Sequence, residues 1–547
     1  MNPLLDDGSE PLSPDALRRL AVDLSQRFGA LEAQVADLRG ELEKSELARA
    51  ALQAENQVLR DEIARLKNLP PRPPFKPSGM EKATNRDLGK AAGTARRRGP
   101  KRDTDRVTRE EVLRAEAPAG SRFKGYETLL VRELVMSAEL VRYRRERWLT
   151  PEGNTIIAPL PAGLIGGFGA NLRRFCLVLH AQGQVTTERL TSILNGIGME
   201  ISKRQVVRIL TSRLEDFVAE DRSVLRTGLA TAPFISVDDT GARHARRDGI
   251  TTQIGGARFT VFRTGRSKSR LNFLSLLQAG GEDYVINDAA IEYMRRRKVA
   301  PEVVARLAGH PQTLFKSQMA WYDHLVRLPL DVFDRTLVRE VSEAALWGAV
   351  RHHGLMENTV VVSDDAGQFR IANHALCWVH SERLLQKLMP KVPQQAKKLE
   401  RIRDQVWALY QDLKHWKLTP TEADRPILAK RFDDIFGQRS GYKDLDQLLV
   451  RLHRRKNELL MVLERPEIPL HTNASENDLR ACVTKRRISG GTMSADGREA
   501  RDVMLGLMKT CRKLGISFFA YLGDRLGLNG PEKRVPFLPE LVVVRPA

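Results

Sequence analysis

The sequence predicts a multi-domain α+β/α protein, in which a mixed sheet with helical insertions follows a coiled coil, a small β module and a helical region. Three observations lead to this fold class. Leucines recur every seven residues near the N-terminus, two short apolar runs each end in a pair of aspartates, and long charged helical stretches separate those runs. A chain of 547 residues is also too long for one compact core.

The composition favours a polyanionic partner. Lys and Arg number 89 against 68 acidic residues, which gives a net charge of +21 and a pI near 10.0. Nucleic acid is the commonest partner of so basic a chain, although charge alone does not separate DNA from RNA. The four cysteines are far apart, so we expect no Cys-x-x-Cys zinc site and no disulfide framework. No signal sequence or membrane span is expected, which predicts a cytoplasmic protein.

Residues 16–68 carry the heptad repeat. One seam position holds leucine with Ser45 as the break, at Leu17, Leu24, Leu31, Leu38, Leu52, Leu59 and Leu66. Leucine there favours a parallel two-stranded zipper, and Asn56 at the other seam position would fix its register. The segment therefore predicts a homodimer or higher oligomer. The alternative is an amphipathic helix that folds back on its own domain.

Residues 69–109 form a Pro- and Gly-rich basic linker. From Lys67 to Val107 there are twelve Lys or Arg and four Asp or Glu. A flexible cationic segment contacts DNA phosphates without reading sequence, and a plain linker is the compatible alternative. The candidate DNA contacts in it are Arg96, Arg97, Arg98, Lys101 and Arg102.

Two modules are expected next. Residues 110–158 alternate apolar and charged side chains around a turn at residues 151–154, which predicts a small β module. Residues 159–225 read as helical, and a helix that begins after Ser202 gives the outline of a helix-turn-helix. Its second helix carries the candidate DNA contacts Lys203, Arg204 and Arg208, with an ordinary helix pair as the alternative.

A mixed-sheet domain is predicted from the remaining pattern. Its three segments are residues 230–283, 357–393 and 466–530, interrupted by helical insertions at 284–356 and 394–465. The first apolar run ends in Asp238 and Asp239, and the second, from Thr359 to Val362, precedes Asp364 and Asp365. Two further strands are expected around a Gly-Gly turn, a strand at 375–380, and a helix from Ser381.

Two buried strands that both end in aspartate are hard to explain as structure, because an unpaired buried carboxylate costs several kcal/mol. If the strands are neighbours, Asp238 and Asp364 face each other, and Glu476, on a helix beginning near Ala474, supplies a third carboxylate. Three carboxylates suit Mg²⁺ or Mn²⁺, and two such ions catalyse phosphoryl transfer. Spacing alone does not separate Asp238 from Asp239 or Asp364 from Asp365, and an isolated Glu476 would be an ordinary carboxylate at a helix N-terminus.

Six short motifs now occur in order over residues 160–530. They include Asp238-Asp239-Thr240, Cys377-Trp378-Val379-His380 with Arg383, the set Asn473, Glu476, Leu479 and Arg480, the basic run Lys485-Arg486-Arg487, and Tyr521-Leu522. In this order the chain resembles transposases of the insertion sequence 66 family, which carry an Asp-Asp-Glu catalytic domain of the ribonuclease H type.

The resemblance implies a bacterial, nucleoid-associated transposase with Asp238, Asp364 and Glu476 as catalytic metal ligands for two Mg²⁺ or Mn²⁺ ions. It would cut double-stranded DNA at the ends of its element and join the freed 3′ hydroxyl to target DNA, with accessory proteins of the same element as further partners. The chain departs from the family in three respects. It lacks cysteines at 110–158, which excludes zinc there, it has Asp239 where the family has Glu, and its stretch from Leu277 to Asn358 is long.

Several basic residues near these motifs are candidates for support. His380 and Arg383 would orient a catalytic carboxylate or phosphate, although the Cys-Trp-x-His segment equally suits packing. Arg480 would pair with Glu476 or hold a phosphate. Lys485, Arg486 and Arg487 are candidate DNA contacts, with a solvated basic face as the alternative. Two other functions fit part of the pattern: a DNA-binding regulator without catalysis, and a metal-dependent nuclease without joining activity.

Overall fold

The computed structural model describes residues 107–543 apart from 162, 163, 165 and 166, together with five separate positions at 26, 29, 30, 34 and 37. The heptad segment 16–68 and the linker 69–109 lie almost wholly outside the described residues, so the coiled coil and the linker contacts stay predictions. The chain divides into two units, Met1–Ser78 and Gly79–Ala547, and every element below belongs to the second.

The stretch predicted as a β module contains one short hairpin. Strands β1 (Arg147–Leu149) and β2 (Thr155–Ile157) pair antiparallel, and the amide of Gly153 donates to the carbonyl of Thr150 at 2.9 Å in the turn between them. Residues 107–146 form no helix or strand, and their apolar side chains, such as Leu134 and Leu140, are exposed. The prediction was therefore wrong outside the hairpin. Alternating side chains form a stable sheet only where a second layer covers the apolar face.

A block of four helices follows, as predicted. These are α1 (Ala170–Ala181), α2 (Thr187–Gly196), α3 (Lys203–Thr211) and α4 (Glu215–Thr231). The start of α3 is set by a capping box, since the Ser202 hydroxyl accepts from the amide of Gln205 at 3.3 Å and the Gln205 side chain accepts from the amide of Ser202 at 2.8 Å. The predicted N-cap at Ser202 is thus confirmed.

The sheet begins with three antiparallel strands, and the first insertion follows them. The strands are β3 (Phe234–His244), β4 (Arg247–Gly255) and β5 (Thr260–Gly265). The next elements are α5 (Arg270–Leu277), β6 (Tyr284–Val285), α6 (Asp288–Arg296), α7 (Pro301–Ala308), β7 (Leu314–Phe315), α8 (Gln318–Arg327) and α9 (Arg335–His352). The insertion is mostly helical as predicted, and β6 and β7 add a two-stranded ribbon.

Two parallel strands complete the sheet. They are β8 (Val360–Ser363) and β9 (Asn373–Leu376), and the strand order is β5-β4-β3-β8-β9. Successive side chains of β8 point to opposite faces, so Val361 packs in one hydrophobic core while Val360 and Val362 pack in another. The mixed α/β fold is as predicted, and the two buried strands are neighbours.

The second insertion is wholly helical, as expected, and rests on the second core. It follows α10 (Trp378–Gln386) and consists of α11 (Pro393–Trp416), α12 (Asp424–Phe436), α13 (Lys443–His453), α14 (Lys456–Leu459) and α15 (Met461–Glu464). Strand β9 ends earlier than predicted, and α10 begins at Trp378 rather than at Ser381. The Trp378 side chain packs in the second core, where its Nε1 donates to the carbonyl of Leu459 at 2.8 Å.

Four helices end the described part of the chain, of which the first two pack on the antiparallel half of the sheet and the last two pack on other helices. They are α16 (Asn473–Ser489), α17 (Ala495–Lys513), α18 (Phe518–Arg525) and α19 (Leu538–Val542). The four cysteines all lie in the part of the chain that the structure describes, where each is buried and free. Among the described residues, no helix combines the length and the apolar character that a membrane span requires.

Candidate catalytic site

The two predicted aspartates lie on adjacent parallel strands. Strand β3 pairs with β8 in a register that sets Phe234 opposite Val360 and Ser236 opposite Val362. Continued by two residues, the same register sets Asp238 beside Asp364. The pairing itself stops at Ser236, while β3 continues along β4 as far as His244. Asp238 is therefore in the middle of its strand rather than at the predicted end, at the point where the β8 edge opens.

Neighbouring contacts separate Asp238 from Asp239. The Asp239 carboxylate accepts from the Thr252 hydroxyl at 2.6 Å and from Nε2 of Gln368 at 2.9 Å. Gln368 lies in the short helical turn Gly367–Phe369. Asp238 shares the opposite face with Ser236, because residues two apart on a strand point the same way. The Ser236 hydroxyl contacts that of Ser475, so this face lies against the start of α16, which carries Glu476.

The second pair is separated even more clearly. Asp365 forms ion pairs with Arg451 at 2.6 Å, Arg370 at 2.8 Å and Arg455 at 3.3 Å. Burial alone would raise the pKa of Asp365, but hydrogen bonds from Arg370 and Arg451 outweigh it and hold the pKa below its usual range. Asp364 has no ion pair within the described residues, and its Oδ1 accepts from the amide of Ala366 at 3.0 Å.

Glu476 lies in the first turn of α16 and is held by two basic side chains of α10. Its Oε1 is 3.4 Å from Nη1 of Arg383 and 3.6 Å from Nε2 of His380. The Cys-Trp-x-His segment packs on the same helix end, since the amide of Thr472 donates to Sγ of Cys377 at 3.3 Å and Nδ1 of His380 is 3.4 Å from the Thr472 hydroxyl. The segment thus serves packing through its Trp and contacts an acid through its His.

The charges of Asp364 and Glu476 act on Asp238. Burial raises the pKa of Asp238 to about 6, and the negative charges of Asp364 and Glu476 add to the rise, against the amide of Asp239 and the charge of His380. For His380, burial alone would lower the pKa. Contacts with Cys377 and the charges of Glu476 and Asp364 outweigh burial and raise it to about 9.

The carboxylates are near each other without forming a closed metal cage. In the part of the chain that the structure describes, no three His, Cys, Asp or Glu side chains are arranged to hold a metal ion together. Asp238 and Asp364 are half-buried and have no basic ion-pair partner among the described residues, whereas Glu476 is engaged by Arg383 and His380. Oxygen donors of this kind suit Mg²⁺ or Mn²⁺, so these side chains fit such a cation.

Of the other described residues that were predicted to contact DNA or support the site, some lie on the surface and some in the interior. Lys485 is 3% exposed, and its Nζ donates to the carbonyl of His180 at 2.9 Å, so it joins α16 to α1 rather than reaching toward a phosphate. Arg486 lies over β3, since a Cβ at Gly241 would be 3.0 Å from its Nη1. The exposed members of the predicted set are Lys203, Arg204, Arg208, Arg480 and Arg487.

Sequence reasoning missed the residues that tell the two members of each aspartate pair apart. Gln368 and Thr252 bind Asp239, and Arg451 and Arg455 bind Asp365. These partners lie 13 to 129 residues away along the chain, so no local pattern reveals them. Ser475 was within reach of sequence reasoning, because it stands beside Glu476 in the motif.

Two comparisons with known proteins bear on the family of the chain. Residues 351–500, which include Asp364, His380 and Glu476, match the family model described as "Transposase IS66 family". An uncharacterized protein of Sinorhizobium fredii (strain NBRC 101917 / NGR234), y4jO, is 60% identical over 307 residues, which is 56% of this chain and 96% of the relative. The chain therefore belongs to the IS66 transposase family.

Proposed function

We propose that this protein is a DNA transposase that cuts DNA at the ends of its element and joins the freed 3′ hydroxyl to target DNA. The observation that carries the proposal is the register of β3 and β8, which brings Asp238 beside Asp364 while α16 presents Glu476 to the same face. The mixed five-stranded sheet with these acids at its centre supports a catalytic domain of the ribonuclease H type.

Asp238, Asp364 and Glu476 would hold two divalent cations, Mg²⁺ or Mn²⁺. When bound, such ions activate an attacking oxygen and neutralise the leaving oxygen in phosphoryl transfer. The mutual repulsion of the three carboxylates supports this role, since a cation between them would relieve it.

The protein's own side chains would position the substrate and the acids. Arg383 and His380 contact Glu476 and keep its carboxylate at the start of α16. Both bear positive charge close to the reacting phosphate, where a guanidinium binds phosphate oxygens well. The same site would serve water in the cutting step and the 3′ hydroxyl in the joining step, because both are displacements at phosphorus.

DNA is the partner that the transposase family implies. The exposed cations Lys203, Arg204 and Arg208 on α3 and Arg487 at the end of α16 are proposed to contact its backbone, together with the half-buried Arg486 beside it. Dimerisation through residues 16–68 is proposed to bring two element ends together.

The test is strand cleavage and joining on a labelled duplex that carries the element's own ends, in Mg²⁺ or Mn²⁺ and in EDTA. We expect metal-dependent products from the wild type and none from Asp238→Ala, Asp364→Ala or Glu476→Ala, while all four bind the duplex. Asp239→Asn is the matched control, since its side chain is engaged by Thr252 and Gln368. Binding without chemistry would instead favour a regulator, and cutting without joining a nuclease.

A further inference from the structure

The second helical insertion carries a cationic groove on its surface. The groove has a volume of about 620 Å³ and is lined by the end of the loop before α13 and by one side of that helix. Its charged and polar lining residues, which define the α13 groove, are Arg439, Lys443, Asp446, Gln447, Arg451 and Arg454.

Three cations of the groove and one glutamine form a row. Lys443, Gln447 and Arg451 are spaced four residues apart and share one face of α13, and Arg454 follows three residues later, directly after the helix ends at His453. At 1.5 Å per residue the row is about 16 Å long, which is the length of roughly five nucleotides at 3.4 Å per phosphate along one strand.

Most of this charge is not used by the protein itself. Arg439, Lys443 and Arg454 are exposed and form no ion pair with a described residue. Among the described residues, one carboxylate lines the groove, that of Asp446. Its oxygens accept from the Ser440 amide and hydroxyl, both at 2.7 Å, and from the Gly441 amide at 3.0 Å, and the charge of Arg439 helps to lower its pKa. An open groove with an excess of unpaired cations fits a polyanion.

The row also leads to the catalytic acids. Arg451, one of its members, forms an ion pair with Asp365 at 2.6 Å, and Asp365 follows Asp364 directly. Arg455, one turn further along, is 3.3 Å from the same carboxylate. The groove is thus tied to the edge of the sheet at which Asp238 and Asp364 meet.

From these contacts we infer that the α13 groove binds the phosphate backbone of the substrate DNA strand beside the scissile phosphate. The inference rests on the proposed function for the identity of the polyanion. It assigns the second insertion a part in substrate binding, in which Arg439, Lys443 and Arg454 contact phosphates and Arg451 links the groove to the acids through Asp365.

The test measures the affinity of the full-length chain for a labelled element-end duplex in EDTA over a range of NaCl concentrations. Removing three phosphate contacts in the triple variant Arg439→Ala, Lys443→Ala, Arg454→Ala should lower the slope of log K against log[NaCl] by about 3. The matched control, Lys397→Ala, Arg401→Ala, Lys430→Ala, removes three exposed cations elsewhere on the insertion and should leave the slope unchanged. Arg451 is left intact, since its loss would disturb Asp365.

A third variant separates charge from folding. Arg439→Lys, Lys443→Arg, Arg454→Lys keeps the three charges and should keep the wild-type slope. If the alanine triple variant has the same slope as the control variant, the proposal that the groove binds DNA is wrong. EDTA prevents catalysis, so this binding test is independent of cleavage. A smaller salt slope in the alanine triple variant alone supports DNA binding by the groove even if the wild type never cuts DNA. If the wild type cuts DNA but the alanine triple variant keeps the wild-type slope, the groove proposal alone is rejected. A wild type that does not bind the duplex would reject both.

Discussion

Two regions around the five-stranded sheet bury carboxylates, and they differ in their partners. Behind the sheet, Glu220 is 2.8 Å from Arg525, and Asp478 is 2.9 Å from Lys513. At the edge between β3 and β8, Asp238 and Asp364 have no basic ion-pair partner among the described residues. Asp478 and Glu476 stand only two residues apart on α16, yet Asp478 pairs with Lys513, whereas Glu476 contacts Arg383 and His380 and its charge acts on Asp238.

The contrast separates structural acids from candidate catalytic ones. A buried carboxylate with a cationic partner has its charge compensated within the fold. Asp238 has no such partner among the described residues, and burial together with the charges of Asp364 and Glu476 raises its pKa. A bound cation would relieve this repulsion, as the proposed metal site requires. Two adjacent residues differ in the same way. Asp365 forms ion pairs with three arginines, whereas Asp364 beside it forms none with a described residue.

The largest expected effect comes from breaking a pair behind the sheet. Arg525→Ala leaves Glu220, which is 2% exposed, without its cation, so the free energy of unfolding should fall by about 3 to 5 kcal/mol. Urea denaturation measures the loss. Arg487→Ala, at an exposed position, is the control and should change stability by less than about 0.5 kcal/mol. A loss below about 1 kcal/mol in Arg525→Ala would remove the distinction between the two regions.

A smaller effect is expected from the side chain that positions Glu476. His380→Gln loses the contact with the carboxylate, so we expect strand cleavage to slow by about 10- to 100-fold and the Mn²⁺ concentration for half-maximal cleavage to rise. His415→Gln, on the exposed side of α11, is the matched control. Cleavage and metal requirement that both match the control would mean that His380 serves packing alone.

A third effect concerns Lys485 and appears as a pH dependence. Burial, with a further contribution from Arg501, lowers the pKa of Lys485 from 10.5 to about 8. Between these values the unfolded chain binds more protons than the folded one, so the folded state gains stability as the pH rises from about 8 to 10.5. Wild type should therefore become more stable relative to Lys485→Met over this window, as measured by urea denaturation at each pH.

Two results would count against this assignment of Lys485. A constant difference between wild type and Lys485→Met across the window would contradict the buried, shifted amine. A side chain that is 3% exposed does not reach a phosphate, so Lys485→Met should leave the salt dependence of DNA binding unchanged. A lower salt dependence in this variant would mean that Lys485 contacts DNA. Arg487→Ala should lower that slope by about 1.

Local patterns predicted the elements whose residues determine them locally. The valines before Asp364 read as a buried strand, and Ser202 with Gln205 read as a helix start, because each pattern needs only its neighbours. Alternation at residues 121–146 misled, since it does not reveal whether another layer covers the apolar side chains. The extension of β3 past Asp239 was also missed, because its pairing with β4, and not its own composition, maintains the strand to His244.

The site was predictable in kind but not in its choice between neighbours. Two aspartate pairs at strand ends predicted a carboxylate site with Glu476 as a third acid from a nearby helix, and the family resemblance then favoured Glu476 over an ordinary carboxylate at a helix N-terminus. Which aspartate of the second pair faces the site depends on Arg451, 86 residues away, and no short spacing in the sequence contains that contact. Lys485 read as part of a basic run, and only the packing of α16 on α1 turns it inward.

The central claim is that Asp238 and Asp364 bind divalent cations and that Asp239 does not. The most direct measurement is Mn²⁺ binding by isothermal titration to the full-length wild type, Asp238→Asn, Asp364→Asn and Asp239→Asn. We predict binding in the wild type and in Asp239→Asn, and its loss in the other two variants. Equal Mn²⁺ binding by the wild type and Asp364→Asn, or no binding by the wild type, would contradict the account.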